Sequence, residues 1–208
     1  MIIEEMSLTY RNLIDPILKN VRQYAPLFSA MKTGDRVLDI CCGTGAQVIE
    51  YGRHGIVATG IDNDPNMINS ALRNKVKSAL SNVSFLLADA TNLPFDNGSF
   101  DYASVSLGLH GKEEGIRNRI VNEMKRIISG DGYLLFIDFH APLPRNFWAM
   151  MVRSIEFVAG GSHYKGFKDY IAIGGLNSIL RNHQLAIENV DYLKSGLLTI
   201  VKAKIYKK

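Results

Sequence analysis

The sequence predicts an α/β protein: a doubly wound three-layer sandwich with helices on both faces of a mostly parallel, seven-stranded sheet. Three observations carry that expectation. Arg36 to Val48, RVLDICCGTGAQV, passes from an apolar strand through a glycine turn into a helix. From residue 57 to residue 139, short apolar runs alternate with stretches of helical period, the rhythm of βαβ units. The runs AIENVDYL and LLTIVKAKIY then follow, joined by Lys194-Ser195-Gly196, a connection so short that the two strands must be antiparallel.

With 208 residues and no Pro/Ser/Gly-rich linker, one domain is expected, divided into an N-terminal helical part (1–32), a core (33–138), an insertion (139–184) and the closing hairpin (185–208). A hydrophobic share of 47% with 21% charged residues is that of an ordinary globular chain. No apolar run approaches the ~18 residues of a membrane span, and MIIEEMSLTYR is acidic where a leader needs positive charge, so a cytoplasmic location is expected. The net charge of +4 is dispersed, except for Lys202, Lys204, Lys207 and Lys208. On an edge strand, lysines protect against aggregation, so nucleic acid is not the expected partner. Cys41 and Cys42 are adjacent and read as small buried fillers of the glycine turn. No metal site is expected from them.

Taken in order, the first thirty residues read as helices. Asp15-Pro16 supplies a cap and a first-turn proline, Ile17, Leu18, Val21 and Tyr24 share one face, and Pro26 closes the segment. Val37, Leu38, Ile40 and Cys41 form the first buried strand. Gly43 and Gly45 leave room for backbone N–H groups to approach a ligand, and Asp39 puts a carboxylate where it suits an ammonium group better than a phosphate. A dinucleotide site would want a small residue where Val48 stands. VATGID is the second strand, ending in Asp62. Asp64-Pro65 then starts a helix whose buried stripe is Met67, Ile68, Ala71, Leu72, Val76 and Ala79.

VSFLLA is the third strand, ending at Asp89, and FDYASVSL the fourth, delivering Ser106, Leu107 and His110 to the same rim. Three acids, Asp39, Asp62 and Asp89, at the ends of three successive strands point to a ligand site, because open parallel sheets bind at that edge. A helix from Glu113 to Ile128 is closed by Ser129-Gly130-Asp131-Gly132 before the fifth strand, GYLLFIDF. About forty-five residues then separate Asp138 from the next strand, more than a crossover helix requires. Asn146 caps a segment holding Phe147, Trp148, Met150, Met151, Ile155 and Phe157. After Gly160-Gly161 come one or two helices around Gly174-Gly175.

VLDICCGTG resembles the first motif of the class I S-adenosylmethionine-dependent methyltransferases, and LLADATNLPFDNGSFD resembles their next two. EMKRIISGDGYLLFID is similar to the helix, turn and strand that follow in that family. The resemblance covers roughly residues 33 to 206 and is nearest in kind to the ubiquinone and menaquinone biosynthesis group. It implies a Rossmann-like methyltransferase fold, S-adenosylmethionine as cofactor and S-adenosylhomocysteine as product. The implied cofactor contacts are Asp39, Cys41, Gly43, Thr44, Gly45, Asp62, Asn63, Asp89, Ala90 and Ser106. Within that set Asp62 takes the ribose hydroxyls, and Asp89 with the Ala90 N–H takes the adenine edge. The N-terminal helices would pack over the cofactor, and the insertion would form the acceptor pocket and lid. Tyr10, beside Arg11, and Trp148, His163 and Tyr164 are then candidates for acceptor contacts, or else surface and core side chains.

Methyl transfer from a sulfonium is an in-line displacement, so holding donor and acceptor together does most of the work. A phenol or carbon acid also needs a base titrating near neutrality, which makes His110 and His140, beyond the fourth and fifth strands, the catalytic candidates. His54 and His183 read as solvent-facing caps at helix ends. The expected partner is a small aromatic or apolar acceptor resembling a quinone precursor, with peripheral membrane contact as a corollary. Arsenic is disfavoured, because its methylation needs several thiols near the acceptor. RNA or protein methylation would instead show a basic face or open groove, and a scaffold without turnover a blocked pocket or large apolar patch.

Overall fold

Seven strands form one sheet in the computed structural model, which describes residues 15–206. In chain order the elements are α1 (Asp15–Phe28), β1 (Arg36–Ile40), α2 (Ala46–Arg53), β2 (Val57–Asp62), α3 (Pro65–Ser78), β3 (Val83–Leu87), β4 (Phe100–Ser106), α4 (Glu114–Ile127), β5 (Ile128–Phe139), α5 (Phe147–Ala159), α6 (Gly161–Ala172), α7 (Leu176–Asn182), β6 (Leu185–Leu193) and β7 (Leu198–Ile205). The strand order is β3-β2-β1-β4-β5-β7-β6. Strands β1 to β5 pair in parallel, and β7 lies antiparallel between β5 and β6. Because the order reverses between β1 and β4, right-handed crossovers send α2 and α3 to one face and α4 to the other. The same reversal opens a crevice at the carboxyl ends of β1 and β4.

The central strands are apolar on both sides because helices cover both. In β1, Val37, Leu38 and Ile40 are fully buried, and so are Ala103 of β4 and Leu134, Leu135 and Phe136 of β5. Each of these side chains larger than alanine contributes about 1.5–3 kcal/mol over its exposed state, so the strand ends rest on a well-buried core. At the edge, β3 is exposed at three of its five positions. Helix α3 lies over this edge, and its buried stripe is narrower than expected. Ile68 and Ala71 are buried, but Leu72 is 43% and Val76 81% exposed.

Three further departures from the sequence reading have local causes. Helix α1 continues through Pro26 to Phe28. A proline there leaves the carbonyl four residues back without its helical donor, and the Arg22 carbonyl accepts instead from Gln47 Nε2 at 3.2 Å. Ser129 to Gly132 do not cap α4 but belong to a bulged start of β5: Ile128 pairs with Phe100, and pairing resumes with Tyr133 opposite Tyr102. Lys202 is not on an edge strand. It is buried in β7, with Nζ 3.8 Å from the Tyr133 ring centroid, while Lys204 is exposed and bonds Glu188.

The insertion is three helices, α5 to α7. Its attachment to the sheet includes the fully buried Arg117 of α4, which pairs with Asp169 of α6 and donates to the Lys112 carbonyl at 2.7 Å. Tyr170 donates its hydroxyl to the Phe139 carbonyl at 2.9 Å.

Candidate active site

The crevice begins where β1 ends. Cys41 takes a left-handed conformation (φ 57°) and Gly43 another (φ 54°), folding the chain back before α2. A Cβ on Gly43 would meet nothing within 4 Å, so this residue borders open space. Gly45 has a different reason to be glycine. At φ 76° its Cβ would lie 2.4 Å from the Phe85 ring, so helix-to-strand packing, rather than ligand clearance, demands it.

Asp62 fixes the turn from the neighbouring strand, its Oδ2 accepting from the Gly43 N–H at 2.9 Å and its Oδ1 from Asp64 N–H at 3.0 Å. Asp39 is buried and accepts from the Ser104 hydroxyl at 2.6 Å. Burial pushes its carboxyl up to about 7, against the Ser104 hydrogen bond and the Arg22 charge. Asp39 shares a small cavity of about 60 Å³ with Arg22, Gly43, Thr44, Gln47 and Ser106. There Gln47 Oε1 is buried with no hydrogen-bond partner.

Through Cys41 this cavity adjoins a second, of about 220 Å³, lined by Asp62, Asn63, Asp89, Ala90, Ile116 and Ile120 among others. Asp89 accepts from the Thr91 N–H at 2.8 Å and the Thr91 hydroxyl at 2.9 Å, bonds that hold its carboxyl below the usual range. Burial raises both thiols, Cys41 to about 11, so neither is a reactive thiolate. Except for Gly45, every expected cofactor contact therefore lines one of two adjoining cavities.

A third cavity, about 280 Å³ and mostly apolar, is lined by Leu18, Leu107, Phe139, Trp148, Met151, Val152, Lys194, Ser195, Leu197 and Leu198. Leu18 belongs to this cavity and to the Asp39 cavity alike, and Ser106-Leu107 runs from one into the other. Sequence reasoning found Trp148 here but missed Lys194 and Ser195, reading them only as a turn. Both hold a left-handed backbone (φ 53° and 54°), a strain that no residue pattern discloses.

Neither candidate base lines this cavity. His110 is buried, its Nδ1 2.7 Å from Asp138 Oδ1 and its ring 4.8 Å from that of Phe139. Burial works against its charged form, but the Asp138 and Glu156 carboxylates outweigh that and raise its pKa. His140 turns its Nδ1 to the Thr199 hydroxyl at 3.0 Å and packs edge-on to Tyr192. His163 bonds Glu156 at 2.8 Å, and Tyr164 packs against Phe157 beneath Lys168, so both stand outside the cavity wall. Tyr10 lies outside the described residues. His54 is a half-exposed helix C-cap, as expected. His183 also follows a helix but is buried, 3.0 Å from Asn118 Oδ1, and burial lowers its pKa.

A sheet of this order, with β7 antiparallel and acids at three neighbouring strand ends, is the architecture that the sequence motifs implied. A family profile described as a methyltransferase domain matches residues 37–132. The demethylmenaquinone methyltransferase of Listeria welshimeri is 34% identical over 148 residues, 67% of this chain; the match spans only 61% of that relative's length. The 2-phytyl-1,4-naphtoquinone methyltransferase of Nostoc punctiforme is 30% identical over 159 residues, 73% of this chain and 67% of that one. A solved S-adenosylmethionine-dependent methyltransferase from Aquifex aeolicus shares the fold, with a TM-score of 0.64 over 85% of each chain at 20% identity. The chain belongs to the class I S-adenosylmethionine-dependent methyltransferases.

The crevice suits that family's cofactor. The buried Asp39 carboxyl and the orphaned Gln47 Oε1 are acceptors of the kind an ammonium group needs, and Gly43 borders open space beside them.

Proposed function

We propose that this protein transfers the methyl group of S-adenosylmethionine to carbon or oxygen of a small, apolar, aromatic acceptor of the quinol type. The observation that carries this reading is the apolar cavity meeting the Asp39 cavity at Leu18 and Ser106-Leu107. When bound, the cofactor supplies an electrophilic methyl on a sulfonium. Asp39 and Gln47 would hold its ammonium, Asp62 its ribose, and Asp89 with the Ala90 N–H its adenine edge.

Leu107, Phe139, Met151 and Val152 would exclude water from the acceptor, and alignment of that kind can supply on the order of 7–11 kcal/mol of a two-body barrier. Lys194 and Ser195 are the polar groups on the wall and would meet the acceptor's oxygen. Proton removal is not assigned to His110, whose ring is held between Asp138 and Glu156. The names of the two relatives support a quinone-like acceptor. A cavity of about 280 Å³ with a mostly apolar wall counts against RNA or protein as substrate.

Calorimetric titration with S-adenosylmethionine and S-adenosylhomocysteine, followed by a methylation assay on a panel of hydroquinones and phenols, tests the proposal. Micromolar cofactor binding with turnover of an apolar phenol or quinol supports it; cofactor binding without turnover of any would favour a scaffold.

One further observation bears on where such an acceptor is met. No helix among the described residues is long and apolar enough to cross a membrane, yet α5 exposes Phe147, Met150, Phe157 and Val158, and Trp148 on the same helix lines the cavity. This favours loading of an apolar acceptor from a membrane surface. Co-sedimentation with anionic vesicles, lost in Phe147→Ser/Phe157→Ser, is the expected result.

A further inference from the structure

Beside the apolar cavity, and outside it, four ionisable side chains from distant parts of the sequence converge. His110 follows β4, Asp138 stands near the end of β5, Glu156 is in the last turn of α5, and His163 is in the first turn of α6. Asp138 accepts backbone N–H groups from Leu109 (3.1 Å), His110 (3.3 Å) and Phe139 (2.8 Å). A carboxylate used in this way only accepts, so His110 Nδ1 must be the donor in their 2.7 Å contact. The other ring nitrogen, Nε2, therefore faces Glu156 Oε1 at 3.6 Å. That separation is too long for a hydrogen bond, so the buried ring nitrogen and carboxylate face each other with no direct bond between them. Glu156 Oε2 in turn lies 2.8 Å from His163 Nε2.

We propose that His110 Nε2, Glu156 and His163 Nε2 bind a divalent first-row transition ion, with zinc the natural probe. Two imidazoles and one carboxylate are the ligand types such ions select. The three ligand atoms lie within 4.8 Å of one another, and ligands around a tetrahedral ion with bonds of ~2.0–2.2 Å stand about 3.3–3.6 Å apart. The 3.6 Å between His110 Nε2 and Glu156 Oε1 matches that spacing.

Asp138 completes the arrangement from behind. Its bond to Nδ1 fixes the tautomer that presents the Nε2 lone pair, the usual task of a carboxylate behind a metal-binding histidine. His163, with a side chain 45% exposed, leaves a path for the ion.

The backbone is shaped for this convergence. A Cβ on Gly111 would lie 2.1 Å from His163 Cε1, and one on Gly166 would lie 2.6 Å from the Gly111 carbonyl carbon. Glycine at both positions lets α6 press against the loop after β4, bringing the His110 and His163 rings to 5.4 Å, edge to face. The ion clamps the α5–α6 junction to the sheet, and so steadies α5, which carries Trp148, Met151 and Val152 on the cavity wall. The ligands lie 46 and 7 residues apart in sequence (110 to 156, 156 to 163), so no compact ligand motif announces them.

The test uses tag-free, chelator-treated full-length protein titrated with Co²⁺ and then Zn²⁺, followed by visible absorption and calorimetry. One equivalent of Co²⁺ should bind with ligand-field bands and no thiolate charge-transfer band, Zn²⁺ should displace it, and the melting temperature should rise on metal addition. His163→Ala, at a half-exposed position, and Glu156→Gln, which keeps the side-chain volume, should each weaken binding more than about tenfold, and Asp138→Asn about 10- to 100-fold. His54→Ala should leave it unchanged. In wild type, one equivalent of Zn²⁺ should shift the Nε2 resonances of His110 and His163 while the Nδ1–H of His110 persists. This last measurement decides the matter even where variants fail to fold. Absence of stoichiometric binding, unmoved Nε2 resonances, or a thiolate band from Cys41 or Cys42 would overturn the assignment.

Discussion

Each acid of the cofactor crevice stands at the end of its own strand, Asp39 on β1, Asp62 on β2 and Asp89 just beyond β3, on segments close together in sequence. The acceptor cavity draws its wall instead from α1, the residue after β4, the end of β5, α5 and the β6–β7 turn. The first region inherits its geometry from sheet register. The second exists only when distant pieces have docked, so a change there can alter what is bound without disturbing how the cofactor is held.

The largest expected effect falls on the register-built side. Asp62→Ala removes the acceptor for two backbone N–H groups as well as the proposed ribose contact. At about 1.5–3 kcal/mol per charged hydrogen bond, S-adenosylhomocysteine affinity should fall 100-fold or more by calorimetry. Next comes the docked side. Met151→Trp, which fills the cavity, should lower kcat/KM for the acceptor about 10- to 100-fold while cofactor affinity stays at its wild-type value. Loss of cofactor affinity in that variant would break the contrast between the regions.

A smaller effect follows from Asp39, whose carboxyl is pushed up to about 7 by burial. An ammonium pairs with the ionised form, so cofactor affinity should drop about tenfold per pH unit below 7 and level off above it. Stability should run the other way. The folded value lies above the ordinary 3.8, so the neutral carboxyl contributes stability that is complete below pH 3.8 and lost as pH rises through about 7. Asp39→Asn should therefore melt higher than wild type at pH 8 and gain little at pH 4, while binding cofactor poorly at both. Smallest is Lys202→Met, which exchanges a cation over Tyr133 for a thioether and should change unfolding free energy by under about 1 kcal/mol in urea.

These contrasts also explain what could be read before any coordinates. Strand, turn and acid recur within a few residues of each other, so Asp39, Gly43, Asp62 and Asp89 were visible as local patterns. Leu18 and Leu197 were not, because an apolar side chain facing a cavity has the same periodicity as one facing the core. Gly45 was recognised as a turn residue, which its φ of 76° bears out, but the approach of Phe85, 40 positions away (45 to 85), was not legible. Pro26 was read as a helix stop; the Gln47 amide that accommodates it lies 21 residues further on, beyond local sequence signals (26 to 47). His183 looked like a surface cap because the partner that buries it, Asn118, is 65 positions away.

The position of β7 has a consequence for how the chain acquires its shape during synthesis. Leu134 to Phe139 of β5, all buried in the finished sheet, pair on one side with residues 198–203 of β7, the last strand described. Until that strand leaves the ribosome, this run of six buried positions carries an open edge, ready to pair with another copy. The three helices of the insertion and β6 emerge in the interval, so for that time the growing sheet ends at β5, and β6 joins it only when β7 arrives between them.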